Sequence, residues 1–361
     1  MKLVSKSTRA GWLFLLFLAY YASRCVSRGK IHYDGGSPKV LKLLRQCRQV
    51  LTSWYFPNPL ISNALVQSAL AEHVRPEATG LEFTRELLPT RDGGTICLSW
   101  ASLTTDKVEL KPDAPVLFIL PGTNGDELGG WYLKLASKYA LLEQGYHVVV
   151  YVRRGCGGVP MSNGRPQDYA DPLKPNSQSD IALAISHVRE RHPDSKMLAM
   201  GYSLGGNFLA NFLGNGHGPH PFTAAVCICS PYDVTGLSYW IEHRYRLVDW
   251  VLRKAKADVL RQNRSAIEND LETMSRGVDV DRICAANSFR MQCELDNLAV
   301  WGLAGETLNQ YLDRSSCFNQ LGRIDIPTLF INSIDDPVTH DLFIPYDRLK
   351  ANPNLVLHSN G

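Results

Sequence analysis

Six short apolar runs punctuate the chain after residue 110: "PVLFILPG", "YHVVVYVRRG", "KMLAMGYS", "TAAVCICSP", "PTLFINSIDD" and "NLVLHSN". They are mostly continuous rather than alternating, which is how parallel strands buried on both faces read. Between them lie segments of helical period such as "WYLKLASKYALLEQGY" and "SDIALAISHVRERHP". This alternation predicts an α/β chain with a doubly wound, mostly parallel sheet and helices on both faces. Ahead of it, "LEFTRELLPTRDGGTICLSWAS" holds two strand-like runs around Arg-Asp-Gly-Gly, a hairpin signal. The rhythm breaks once. Between Pro231 and Asp325 only charged and amphipathic stretches occur, and a long helical insertion between two strands predicts a lid over the site.

The N-terminus is the one biased segment. Lys2, Lys6 and Arg9 precede an apolar run from Ala10 to Ala22, and Arg24, Arg28 and Lys30 follow it. The run is shorter than the roughly 20 residues of a spanning helix and suits a signal-peptide core. Its bulky Trp12, Tyr20 and Tyr21 and the lack of a small-x-small site favour an uncleaved signal anchor over a cleaved signal or a buried helix. "YFPNPLISNALVQSALAEHVRP" then reads as a Pro-broken loop entering a short helix.

At 361 residues and 45% hydrophobic, the chain suffices for one large domain plus this appendage. A formal net charge of +3 gives no reason to invoke nucleic acid. Nine cysteines lack paired metal spacings, and strand alternation in "AAVCICS" puts Cys227 and Cys229 on one buried face as core thiols. No metal, nucleotide or other cofactor is expected.

The chemistry centres on Gly201-Tyr202-Ser203-Leu204-Gly205, which follows a strand and opens a helix containing Phe208, Leu209 and Phe212. A turn that tight strains the serine backbone and needs glycines on both sides, so that the Ser203 hydroxyl stands at the top of the sheet as a nucleophile. Oxyanion donors are expected from the backbone N–H of Leu204 and from the loop of "VLFILPGTNGDELGGW", where Gly122 and Thr123 are best placed. This loop has neither phosphate-binding glycine motif. The acid should follow a later strand, and of Asp335 and Asp336 in "INSIDDPVTH" the reading selects Asp336, beside Pro337. "RRGCGG" at Arg153 to Gly158 is read as a structural turn ahead of an anion site, Asp180 as an N-cap, and Asn263-Arg264-Ser265 as a glycosylation sequon.

Taken with "LPGTNG", "YVRRGCGG", "GYSLGGNFLANFLG", "WGLAGETLNQYLDRSSC" and "IPTLFINSIDDPV", the chain resembles the membrane-anchored α/β-hydrolase-domain proteins of the AB hydrolase 4 group, over nearly all of its length after the anchor. The group includes animal lipid hydrolases and yeast ethyl-ester synthase/esterases. The resemblance implies the α/β-hydrolase fold, Ser203 as nucleophile, Asp336 as acid, a single N-terminal anchor, and ester or phospholipid substrates at an endomembrane such as the endoplasmic reticulum. Asn63 to Ser68 depart from the group by lacking a Gly-His before Leu-Gln-Thr. The implied division is an anchor at 1–30, a linker and pre-domain segment at 31–80, and a catalytic domain at 81–361 with its lid at 231–325.

A serine nucleophile requires a base, which in this order comes last. Only His340 and His358 follow Asp336; the first is too close to the acid and the second falls within the last strand. The group has Gly-Gly-His here, with Gly361 as its first glycine, so the expectation is that the catalytic histidine and a final helix lie beyond this sequence. The sheet edge beside the last strand should then be bare and stability poor. The leading reading is a membrane-anchored hydrolase of lipid or medium-chain acyl esters. Its rivals are acyl transfer to an alcohol, for which no H-x-x-x-x-D motif occurs, and a non-catalytic lipid- or steroid-binding protein on the same fold.

Overall fold

The six apolar runs form β6 (Val116–Leu120), β7 (His147–Val152), β8 (Met197–Tyr202), β9 (Phe222–Ile228), β10 (Thr328–Ser333) and β11 (Leu355–Asn360) in a computed structural model that describes residues 6–59, 61–71, 80–104, 109–163, 180–215, 220–275, 277–300 and 307–360. They pair in parallel in the order β11-β10-β9-β8-β6-β7. The hairpin β4 (Leu81–Pro89) and β5 (Thr95–Leu103) turns at Thr90–Gly94, with Gly93 at φ +81°, and adds antiparallel to β7.

Continuity of the runs follows from two covered faces. Phe118, Leu120, Val149 and Tyr151 meet α5 (Asp180–Arg191) and α6 (Leu204–Gly214), while Leu117, Ile119, Val148 and Val150 meet α4 (Trp131–Leu142). β6 lies between β7 and β8, so the chain leaves it toward opposite sides. A crevice therefore opens at the carboxyl ends of β6 and β8, where ligands bind in open α/β sheets.

Between β9 and β10 the described chain is helical: α7 (Val234–Arg244), α8 (Arg246–Gln262), the short α9 (Arg264–Asn269), α10 (Leu271–Ser275) and α11 (Val280–Cys284), then α12 (Phe289–Val300) and α13 (Leu308–Ser315). α14 (Tyr346–Ala351) precedes β11.

The N-terminal region departs from the sequence reading. β2 (Lys30–His32) joins the sheet antiparallel to β11, with His358 opposite Ile31. α2 (Pro38–Leu51) packs Val40, Leu44 and Leu51 onto Val356. What reads as a linker thus closes the edge that was expected to be bare, because the apolar face of α2 and the free side of β11 satisfy each other. A two-stranded ribbon of β1 (Ser27–Arg28) and β3 (Trp54–Tyr55) flanks it, and α3 (Ala64–Ala71) follows. α1 (Lys6–Arg24) is 19 residues long, but only its Ala10–Ala22 stretch is apolar. Among the described residues no helix is long and apolar enough to cross a membrane.

Candidate active site

Ser203 stands between β8 and α6 at φ +49° and ψ −120°, a conformation that costs a non-glycine residue about 1–3 kcal/mol. Its N–H bond to the Ile228 carbonyl, 2.7 Å, holds it there. The glycines around it have no room for a side chain. A Cβ on Gly201 would lie 2.6 Å from the Gly205 carbonyl oxygen, one on Gly205 2.2 Å from that of Leu120, and one on Gly206 2.0 Å from the Ser230 hydroxyl. Strand and helix therefore meet backbone to backbone, which lifts the serine clear of the sheet.

Leu204 opens α6, where the first backbone N–H groups of a helix have no partner within it. Across the crevice, a Cβ on Gly122 would sit 3.3 Å from Ser203 Cβ, so the loop after β6 lies against the serine. Arg153, buried, donates from Nη2 to the Gly122 carbonyl at 2.8 Å and lies 5.3 Å from the Phe208 ring centroid. That carbonyl and the Thr123 N–H belong to one trans peptide, so fixing the first toward Arg153 turns the second the opposite way. Asn124, at φ +54°, donates its side-chain amide to the Ala255 carbonyl and ties the same loop to α8.

Asp336 sits in the loop after β10, and its Oδ1 accepts from Val338 N–H at 2.7 Å and Thr339 N–H at 2.9 Å. Asp335 is exposed and accepts from the Ser333 hydroxyl. The two aspartates therefore diverge. Cys229 does not continue the buried face of Cys227; at φ +49° it leaves the strand end and its thiol meets Asp336. Burial, and then the neighbouring Asp336 charge and hydrogen bond, push that thiol up to about 12. Its N–H bonds to the Ile331 carbonyl at 2.7 Å, so Cys229 joins the ends of β9 and β10 between Ser203 and Asp336.

Ser203, Thr123, Leu204 and Val338 line one cavity of about 150 Å³, closed largely by apolar side chains such as Leu237, Ile241, Phe289 and Leu312 from the helices above. Asn207, Ser238, Lys256 and Ser315 add polar groups to its wall. Among the described residues no group of three or more His, Cys, Asp or Glu is placed to hold a metal ion.

The histidines after the acid are engaged elsewhere. His340 packs tilted against Trp240 with ring centroids 4.6 Å apart, and its Nδ1 accepts from Leu342 N–H, which in the neutral tautomer leaves the ring proton on Nε2. His358 is buried between Gly29 and Leu51, with its pKa lowered by burial against a smaller raising effect from the Leu51 backbone. Among the described residues no histidine is hydrogen-bonded to Ser203 or Asp336.

Among the other motifs, the readings of Asp180 and Asn263 change, and the structural-turn reading of "RRGCGG" agrees with the fold. Arg154 bonds bidentately to Asp180 and reaches Asp92, so Asp180 is an ion-pair partner and not simply a cap. Gly155, Gly157 and Gly158 all have positive φ, the signature of a built turn. The amide of Asn263 donates to the Gly155 and Val259 carbonyls and is not free to carry a glycan. Arg153, Asn124 and Cys229 are the site residues that sequence reasoning missed; the first was visible only as part of a turn, and the others carry no local signal.

Residues 111–342 match the sequence family described as serine aminopeptidase, S33. The phospholipase ABHD3 of Bos taurus is 27% identical over 349 residues, covering 96% of this chain and 80% of that one. The monoacylglycerol lipase ABHD2 of Danio rerio is 24% identical over 321 residues, covering 86% and 72%. Among solved structures, the esterase Pf2001 of Pyrococcus furiosus superposes with a TM-score of 0.46 at 14% identity, covering 78% of this chain and 82% of that one. A serine elbow on a mostly parallel sheet and a family match over well over half the chain lead to one assignment: this protein belongs to the serine aminopeptidase, S33 family of the AB hydrolase superfamily and has the α/β-hydrolase fold.

Proposed function

We propose that this protein is a membrane-associated serine hydrolase of carboxylic esters whose substrates are lipid acyl esters of monoacylglycerol or phospholipid type. The observation that carries the reading is Ser203 at positive φ, facing the Gly122–Thr123 loop and opening into an apolar cavity. Similarity to the phospholipase ABHD3 and the monoacylglycerol lipase ABHD2 supports the lipid class. Ser203 Oγ bonds to the acyl carbon as its proton passes to an imidazole base, and the carbonyl electrons move onto oxygen. The N–H groups of Leu204 and Thr123 stabilise that oxyanion, Asp336 orients the imidazolium, and the leaving alcohol takes the proton. Water repeats the cycle and releases the acid. None of the eight described histidines is hydrogen-bonded to Ser203 or Asp336, which supports a base from outside the described residues.

Exposed Trp12, Leu13, Phe14, Leu16 and Tyr20 on α1 support association with a lipid surface. A fluorophosphonate probe should label the protein at Ser203, and Ser203→Ala should abolish the label together with hydrolysis of monoacylglycerol or phospholipid. Label that survives the substitution removes the nucleophile from this reading.

A further inference from the structure

Charge is unevenly spread along this chain. Residues 1–71 hold ten Lys and Arg against one acid, Asp34, while the other 290 hold 28 against 34. The modest overall charge therefore hides a basic N-terminal region on an acidic body, an asymmetry that points to a polyanionic partner.

The fold gathers part of that region into one surface. α2 buries Val40, Leu44 and Leu51 and leaves Lys39, Lys42, Leu43, Arg45, Arg48 and Val50 exposed. In the adjoining ribbon Arg28 pairs with Trp54, and its Nε donates to the Thr52 carbonyl at 2.9 Å. Three consecutive aromatics follow the turn: Trp54 is 59% exposed, Tyr55 41% and Phe56 65%. The Tyr21 hydroxyl donates to the Pro57 carbonyl, so this ribbon is tied to the exposed apolar helix α1. Between β2 and α2 lies a cavity of about 320 Å³ with Ile31, Tyr33 and Leu41 among its apolar walls and Arg45, Arg48 and Thr52 as its polar ones.

Water alone gives no reason to expose three adjacent aromatics beside so many cations. A bilayer interface does. Trp and Tyr settle at headgroup level, and Lys and Arg gain from the negative potential of an anionic leaflet. Nucleic acid would use the cations but leave Leu43 and Val50 without a role.

We propose that α2 and the β1–β3 ribbon form a docking surface for an anionic lipid bilayer, with the arginine-lined cavity receiving a headgroup phosphate. The proposal rests on the reading of a membrane-associated lipid hydrolase, and it adds lipid charge selectivity through residues outside α1. Docking through this face would set the membrane beside α1 and the N-terminal edge of the sheet.

The test is sedimentation of the full chain with vesicles of phosphatidylcholine alone and of phosphatidylcholine mixed with phosphatidylserine. Phosphatidylserine should tighten binding, and added salt should weaken it. Arg45→Gln with Arg48→Gln should lose about fivefold per arginine, roughly 25-fold together, on the anionic vesicles only. Both residues are exposed, so the circular dichroism of the variant should match the parent. Trp54→Ser with Phe56→Ser should weaken binding to both vesicles. Equal binding of the parent to both vesicles, or a phosphatidylserine preference that survives loss of both arginines, overturns the proposal. Tighter binding to duplex oligonucleotide than to the anionic vesicles at equal salt also overturns it. Failure to bind phosphatidylcholine alone counts instead against α1 as a membrane contact and leaves the charge preference to be read separately.

Discussion

The thiol of Cys229 lies beside the carboxylate of Asp336, at the point where β9 and β10 end beside the serine turn. A thiol raised to about 12 by burial and by that carboxylate stays protonated and remains a donor. The N–H groups of Val338 and Thr339 fix the orientation of Asp336 on its other side. At pH 8 roughly one molecule in 10⁴ would carry the thiolate, the reactive form. Iodoacetamide should therefore modify exposed Cys47 while Cys229 resists until the protein unfolds. Peptide mapping after brief alkylation checks this, and early modification of Cys229 would contradict the contact.

Gly205 should tolerate no side chain. Its added Cβ would meet the backbone carbonyls of Leu120 and Pro121 at 2.2 and 2.4 Å, and no flexible atom is there to move. Gly205→Ala should lower stability by at least the ~3 kcal/mol at the upper end of overpacking effects. Gly322→Ala, where nothing lies within 4 Å, is the matched control and should be close to neutral. Urea unfolding of the two variants separates local crowding from a general intolerance of alanine.

The Arg154 network should show in both stability and pH response. Arg154 is buried, and its removal strands the buried Asp180, so Arg154→Met should cost about 3–5 kcal/mol. At Asp92, partial burial works to raise the pKa, but the Arg154 hydrogen bonds and those of Thr90 and Gly94 outweigh it and hold the carboxyl well below the usual range. A depressed folded pKa means stability that is present above the unfolded value near 4 and is lost as pH falls below it. Solvent screening of this half-exposed carboxylate keeps the contribution small. Between pH 5 and 3 the parent should lose more stability than Asp92→Asn, measured as the shift in urea midpoint.

The seam between β2 and β11 should weaken in mild acid. His32 and His358 both have lowered pKa values, chiefly from burial, and His32 also feels Lys350 and Lys30. The unfolded chain takes up protons near pH 6.5 while the folded one resists, so stability falls as pH drops through and below that value. His358→Gln should flatten the loss between pH 7 and 5, and it should leave fluorophosphonate labelling of Ser203 unchanged. Loss of labelling in this variant would make His358 part of the catalytic machinery.

The sequence carried the sheet because most of its parallel strands are near-continuous apolar runs, and it carried the Ser203 turn because a strand-turn-helix with spaced glycines leaves a local mark. What it left out depends on pairs far apart in the chain. Arg154 meets Asp92 and Asp180 across 62 and 26 residues, and Asn124 meets Ala255 across 131. None of these spacings has a period to detect. β2 is three residues long and joins the sheet only because β11, more than 300 residues later, has a free side. Cys229 sits in a strand-like pattern, and only its positive φ reveals that the chain has already turned toward Asp336.

The arginine behind the oxyanion loop provides the last expectation. Arg153 donates to the Gly122 carbonyl and is not among the residues lining the cavity, so in the proposed mechanism it would act by positioning the Thr123 N–H. Loss of a whole oxyanion donor lowers turnover by about 10²–10³, and a donor that is misdirected but still present should cost less. Arg153→Met keeps the packing on Phe208 and removes the hydrogen bond. Labelling of Ser203 by fluorophosphonate, whose phosphonyl oxygen seeks the same N–H groups, should slow by roughly 10- to 100-fold. Thermal unfolding measured alongside distinguishes this from collapse of the loop, because a merely structural role would lower stability while leaving the labelling rate of the folded fraction unchanged. A labelling rate equal to the parent's in well-folded Arg153→Met would remove Arg153 from the reaction and leave it as a packing residue.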